Sequence, residues 1–429
     1  MPRSVIAVLL ILSFGCFSIE RPTVALAAPP LVLEQSLQDR RDSLERIWKA
    51  VEENYYDPDF NGVDWKAVHE RYRPMLDSLK SDEEFYKLME RMVGELHDAH
   101  THVLSPERAQ EFKRHQRMSL GFGPEIIDDQ LVVARVTAGS QAERAGLEPG
   151  MIVRTLDGRP LADRVREVIA LYPESSTPRA TRLLGYARAF MGEPGTTVKL
   201  GLERADGSSL EVTLTREVAP QGPDLVAKLM PSGEAYISFN VFYAPAAKEF
   251  KEALRKFHEA PGLIIDLRRN PGGSSAELTG IASNFFAAKT VFARSKTRTH
   301  DTRPFYVDGK ESQKYSGPVV ILTGPNSGSS SELFAAGMQD TGRAKIVGAQ
   351  TCGCVLGITH LAALSDGGSV TISQVLWFTP HDRKLEGEGV IPDRTVTVTL
   401  TDLRQKRDPV LEEGERLLKE MAFTAAPGK

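Results

Sequence analysis

Two runs in the C-terminal half hold residues that could steady a developing negative charge. Asp266-Leu-Arg-Arg-Asn-Pro-Gly-Gly-Ser274 places two glycines side by side, and Gly324-Pro-Asn-Ser-Gly-Ser-Ser-Ser-Glu332 places a serine run before a helical pattern. Adjacent glycines let the backbone turn so that its N–H groups face one point, which suits an oxyanion hole. A serine at a helix N-terminus gains from the oriented N–H groups around it. Either run alone reads equally well as a helix cap or a loop.

A second group lies near residue 100. His97, His100 and His102 stand with Asp98 in a His-x-x-His-x-His pattern. This could be a metal cluster, but one helix end seldom directs three imidazoles to one ion, so no metal is expected. For His97 and His102 the plainer reading is a helix-end residue bonding the last carbonyls. Cys352 and Cys354 are spaced too closely for an easy disulfide and read as small buried residues. A cysteine nucleophile at Cys354 with His360 is the alternative. Tyr55, Tyr56 and Trp65 read as core, and Arg268 as a structural ion-pair partner.

These residues must be positioned by a chain of 429 residues, 41% hydrophobic and 26% charged, with net charge −4. That is globular composition spread over several domains, and it excludes a multi-span membrane protein or a binder of nucleic acid phosphates. Arg3, the apolar run Val5 to Phe17 and Ala25-Leu-Ala27 read as a signal peptide over residues 1–27, the run being short of the ~20 residues of a span. Glu20 and Arg21 before the cleavage site also fit an uncleaved anchor. Cys16 lacks a lipoprotein box. The expected location is periplasmic or secreted, with no stable membrane insertion after cleavage.

Three blocks follow. Residues 28–113 show helical periodicity, with Ser81 and Glu84 as a capping box. Residues 118–218 carry short β-runs with a helical insertion over about 161–191. Residues 223–403 alternate strands and helices, which argues an α/β layer with a mostly parallel sheet, and 404–429 is a charged helix and tail. The fold class is multi-domain α/β.

Together these features resemble the tail-specific, or C-terminal processing, serine peptidase family and its tricorn-like branch. The resemblance rests on Gly262-Leu-Ile-Ile-Asp-Leu-Arg-Arg-Asn-Pro-Gly-Gly273 and Ser327-Gly-Ser-Ser-Ser-Glu332. It implies Ser329 as nucleophile and an oxyanion hole from Gly272 or Gly273 and Ser330. The second block resembles a PDZ domain through Leu120-Gly-Phe-Gly123, its carboxylate-binding loop, and Ala145-Gly-Leu-Glu-Pro-Gly-Met-Ile152. Leu120, Gly121, Phe122 and Gly123 would then receive a peptide C-terminus added to a sheet edge.

One departure bears on mechanism. The processing branch uses a lysine in a Thr-x-Gly-Lys motif, and here Thr351-Cys-Gly-Cys354 puts a cysteine at that position. A thiol is a poor substitute for a desolvated amine, and Lys345 reads as a solvated strand entrance. The tricorn-like branch instead implies His100 as base, from Gly94-Glu-Leu-His-Asp-Ala-His100. It implies Glu386 as acid, from Glu386-Gly-Glu-Gly-Val-Ile-Pro-Asp393, with Glu388 a near rival. In that branch a serine precedes the histidine and helps the acid, whereas this chain has Ala99.

The resemblance therefore implies an exported serine endopeptidase acting on unfolded or C-terminally exposed polypeptide, without cofactor or metal. The alternatives are a catalytically inactive peptide- or ligand-binding protein on the same scaffold, and an esterase using the same residues.

Overall fold

The computed structural model describes residues 35–309, 314–359 and 361–425. The signal-peptide reading, Cys16 and His360 lie outside the described residues. Strand runs such as Leu263-Ile-Ile-Asp266 and Val319-Val-Ile-Leu-Thr323 are apolar on both faces, which only a sheet covered on two sides can accommodate. They form the middle of a six-stranded sheet. Its order is Val226–Leu229, Ala235–Ser238, Leu263–Asp266, Val319–Thr323, Lys345–Gly348 and Arg394–Thr395. The first pair is antiparallel and the other four are parallel.

Helices Ala246–Lys256, Ser275–Ala282 and Ser330–Asp340 cover one face, packing Phe250, Leu278 and Phe334 on Ile265 and Ile321. Helix Pro409–Ala425 covers the other, with Val410 and Leu418 against Ile264, Val320 and Leu322. Phe334 is fully buried and its ring lies 6.0–6.5 Å from those of Phe242, Phe285 and Phe292. Phe334→Ala should cost about 3–5 kcal/mol, read from the shift of the urea midpoint.

The N-terminal helices Leu37–Asn54, Trp65–Tyr72 and Asp82–Gly94 do not close a core by themselves. Leu44, Ile47, Phe85 and Met89 share theirs with Leu356, Leu364, Val370 and Ile372 from far along the chain. Strand His102–Leu104 pairs antiparallel with Ser369–Thr371, whose other neighbour is Leu361–Ala363. The segment around His100 is thereby tied to the C-terminal half. At Asp82–Gly94, Ser81 accepts from the Glu84 N–H, but the Glu84 carboxylate returns to Lys80 N rather than to Ser81, so the capping box is only half made.

Between these parts lies an antiparallel sheet in the order Phe122–Ile127, Gln130–Val136, Ile152–Leu156, Thr197–Glu203, Ser209–Thr215. Helices Leu161–Leu171 and Pro178–Phe190 pack Val165, Val168 and Ala189 into its core. Among the described residues no helix is long and apolar enough to cross a membrane.

Candidate active site

The buried strand Val319–Thr323 delivers the chain to a tight turn, and the helix Ser330–Asp340 begins directly after Ser329. Ser329 has φ 50° and ψ −118°, a conformation that L side chains seldom adopt and that surrounding contacts must enforce. Its N–H donates to the Cys354 carbonyl at 2.9 Å and to Glu332 Oε2 at 3.1 Å. The Glu332 carboxylate also accepts from Thr351 Oγ1 at 2.5 Å, Gly353 N at 2.7 Å and Cys354 N at 3.0 Å. Burial pushes this carboxyl up to about 7 against the pull of those donors. Glu332 thus pins the turn to the 351–354 loop, a role hidden in the sequence because the residue reads as a capping partner.

The serines of the run divide by their partners. Ser327 Oγ donates to Leu267 O at 2.8 Å, Ser330 Oγ to Gly273 O at 2.7 Å and Ser331 Oγ to Asn270 O at 2.7 Å. Ser329 Oγ is not tied to that glycine loop. It caps no helix N–H either, since the Glu332 N–H donates to the Ser329 carbonyl at 2.9 Å. Three hydroxyls fasten two loops together and the fourth does not.

Gly272 and Gly273 have φ 111° and 137°. A Cβ at Gly272 would stand 2.7 Å from Ser329 Cβ and 2.9 Å from Ser330 N, so only glycine lets the two loops meet. Among the described residues the Gly273 and Ser330 N–H groups make no hydrogen bond, while the Gly272 N–H donates to Asn270 Oδ1 at 3.0 Å. Of the two glycines, Gly273 is therefore the one with a donor to offer.

His100 follows an Asx turn in which Asp98 Oδ1 accepts from His100 N and Thr101 N, both at 2.7 Å, and from Ser373 Oγ at 2.9 Å. The Thr371 hydroxyl donates to the His100 carbonyl at 2.6 Å. Burial, together with the Asp98 carboxylate, holds the Tyr55 phenol far above its ordinary value. Burial pulls the His100 imidazole down to about 4, with Asp98 opposing, so the ring is neutral at pH 7. Its Nδ1 is buried without a partner.

The other two imidazoles are spent differently from the helix-end reading. His97 Nδ1 meets the Glu174 carbonyl at 3.0 Å, across a loop rather than on its own helix. His102 lies between Glu90, 3.1 Å from Nδ1, and the Ala99 carbonyl, 3.0 Å from Nε2. His97 and His102 thus take separate partners and His100 Nδ1 takes none, and among the described residues no three His, Cys, Asp or Glu side chains could hold one metal ion.

Glu386 is buried and Glu388 is exposed. Glu386 Oε2 accepts from Val355 N at 2.6 Å, beside the 351–354 loop. Burial pushes its carboxyl up to about 7, opposed by the Ser176 hydroxyl and Val355 N–H and reinforced by Asp98 and Glu332. Ser329 and Glu386 hydrogen-bond the stretch Thr351–Val355 and Ala99, beside His100, packs on it, while Gly273 joins the serine turn through its carbonyl's bond from Ser330 Oγ. The structure makes no hydrogen bond between Ser329 and His100, nor between His100 and Glu386.

Cys352 and Cys354 are joined in a disulfide, contrary to the expectation from their spacing. Gly353 at φ 75° folds the chain back and sets the two Cα atoms 5.2 Å apart, within bonding range. Bonded this way, Cys354 has no thiolate to offer as nucleophile. Lys345 pairs with Asp393 at 2.9 Å at a strand start, and Arg268 with Asp266 and Asp408.

Leu120, Gly121, Phe122 and Gly123 lie apart from this cluster, leading into the edge strand Phe122–Ile127. Gly121 has φ 82°, and its carbonyl accepts from Thr137 N at 2.9 Å and Ser140 Oγ at 3.0 Å.

Comparison with known proteins adds the family. Residues 234–396 match the model of peptidase family S41, and residues 36–94 match that of the tricorn protease C1 domain. The chain is 30% identical over 385 residues to the carboxyl-terminal-processing protease of Synechocystis, covering 85% of this chain and 83% of that protein. It is 27% identical over 411 residues to tricorn protease homolog 2 of Streptomyces coelicolor, but spans only 33% of that protein's length. Among solved structures, the photosystem II D1 C-terminal processing protease matches with a TM-score of 0.59 at 23% identity, over 88% of this chain and 97% of that one. Mature CPAF matches with a TM-score of 0.67 at 14% identity, over 91% and 99%. At such identities these two likenesses are of fold alone. On the strength of the Synechocystis relative and the matched core, the chain belongs to the S41 family of serine peptidases, with the carboxyl-terminal-processing proteases.

Proposed function

We propose that the chain is an exported serine endopeptidase that cleaves unfolded or C-terminally exposed polypeptides through Ser329, His100 and Glu386. The observation that carries this reading is the single serine of its run left untied, on an enforced turn beside two unused N–H groups. Ser329 Oγ attacks the scissile carbonyl carbon and passes its proton to neutral His100. The displaced electron pair rests on the carbonyl oxygen, held by the N–H groups of Gly273 and Ser330. Collapse of that intermediate breaks the C–N bond, and the leaving amine takes the proton from His100. Water, activated by the same imidazole, then releases the acyl group and restores Ser329. Glu386 orients the imidazolium. The missing hydrogen bonds are ones that close when substrate fills the site, as is common in unliganded enzymes.

In this reading residues 118–218 act as a PDZ-like domain. Among the described residues its strand Phe122–Ile127 has a partner on one side only, so a peptide end could pair along it, with Leu120-Gly-Phe-Gly123 receiving the carboxylate. Residues 1–27 direct export and are removed, leaving a periplasmic or secreted enzyme.

The test is substrate form. The protein should cleave an unfolded polypeptide and spare the same polypeptide folded, whereas hydrolysis confined to activated esters would replace the peptidase reading by the esterase one. A pH profile gives a second check. Protonating Glu386 removes the charge that supports the imidazolium, so kcat/KM should fall as pH drops through about 7, well above the His100 value of about 4. Glu386→Gln should remove that limb along with most activity. A limb near 4 in the unaltered protein would assign it to His100 and take the acid role from Glu386.

A further inference from the structure

Position 99, before the proposed base, has only a methyl group, which packs on Cys352 and Cys354. The hydroxyl near the acid comes instead from 77 residues along the chain. Ser176 Oγ accepts from the Ala99 N–H at 3.0 Å, the Ser176 carbonyl lies 4.0 Å from where a Cβ on Gly387 would stand, and its hydroxyl is among the groups that lower the Glu386 carboxyl. A hydroxyl that accepts from an amide has its own proton left to give, so toward Glu386 it acts as donor.

Ser176 lies between the helices Leu161–Leu171 and Pro178–Phe190, in a link fastened to the segment before His100, to the 351–354 loop and to the Glu386 run. The Glu174 carbonyl meets His97 Nδ1 at 3.0 Å. Buried Thr177 Oγ1 donates to the Cys352 carbonyl at 2.8 Å. Arg179 donates to the Thr351 and Glu388 carbonyls, each at 3.0 Å. The link thus holds Ser176 against Ala99 and beside the run that bears Glu386.

We propose that Ser176 is a positioning residue for the acid, supplied by the helical insertion of the middle domain, and that it keeps the Glu386 carboxylate charged and aimed at His100. The inference rests on the triad reading above. A donor to the carboxylate favours the charged form. Asp98 and Glu332 oppose it from the His100 loop and the Ser330–Asp340 helix, and the phenols of Tyr55 and Tyr56 adjoin it from the end of the first helix. His102, with Glu90 and Arg188 beside it, acts on His100. Among these groups, Ser176 Oγ and the Val355 N–H lower the carboxyl.

The test compares the unaltered protein, Ser176→Ala and Ser176→Thr for polypeptide cleavage across pH, together with Tm. Ser176→Ala should lower kcat about tenfold or more at pH 7, leave KM within about twofold and move the acid limb up by about one pH unit. Ser176→Thr keeps the hydroxyl and should retain the original limb. Loss of activity with an unmoved limb, or with a lowered Tm and raised KM, would mean that Ser176 only packs the link and would overturn the inference. Glu386→Gln separates the two levels. If that variant keeps full activity, the triad reading itself fails; if it is inactive while Ser176→Ala matches the unaltered protein, only the role of Ser176 falls.

Discussion

Ser329→Ala should reduce polypeptide cleavage by about 10⁴-fold or more while leaving Tm within about 2 °C. The two halves of this expectation come from different features of the turn. Removing Oγ removes the atom proposed to attack, so what remains is whatever the oxyanion donors and binding achieve alone. Stability is spared because the Ser329 hydroxyl fastens nothing across the loops, whereas Ser327, Ser330 and Ser331 each do. Alanine keeps the same backbone requirement at φ 50°, so no strain is added. His100→Ala should give a loss of similar size, and the double variant should be little worse than either, because both serve one proton transfer. A large residual activity in Ser329→Ala, or additive losses, would break the link between these two residues.

Gly272→Ala should be nearly as damaging by a different route. Its added Cβ would meet Ser329 Cβ at 2.7 Å, Gly328 O at 2.8 Å and Ser330 N at 2.9 Å, on a backbone at φ 111°. Two of these three contacts are backbone atoms, which cannot rotate away. The serine turn and the glycine loop must separate, which displaces Ser329 and the Ser330 N–H together. Cleavage should fall at least ~100-fold, as for loss of an oxyanion donor, with a stability cost of about 2–4 kcal/mol. Gly139, at φ 72° with nothing within 4 Å of an added Cβ, is the matched control. Gly139→Ala should carry the backbone cost without the loss of activity, measured as kcat/KM and urea midpoint for both variants.

What could be read from the residues follows the range of the interactions. Leu263–Asp266 and Val319–Thr323 are legible because burial on both faces leaves a continuous apolar run. The hairpin Thr290–Thr297 with His300–Val307 is not, since its second strand is mostly exposed and polar and the Arg298-Thr299 turn lacks glycine. The N-terminal helices look self-contained in sequence because each is amphipathic. Their use of Leu356 and Val370 to complete the core depends on pairing across more than 250 residues.

The candidate site divides in the same way. The glycine pair, the serine run, the His100 stretch and the Glu386 run are visible as residue patterns. Which hydroxyl is left free, and which glycine N–H is spent on Asn270, depends on contacts between loops. Ser176 gives no local signal at all, because two serines between helices read as a cap. The Cys352–Cys354 bond was hidden because spacing alone does not show the reversal at Gly353.

The most direct measurement of the central claim is covalent trapping. Incubation of the protein with an aryl fluorophosphonate, followed by peptide mass mapping, should place one phosphonyl group on Ser329, and His100→Ala should abolish the labelling. Label on a different residue, or unlabelled Ser329 in a preparation that still cleaves polypeptide, would contradict the assignment of Ser329 as nucleophile.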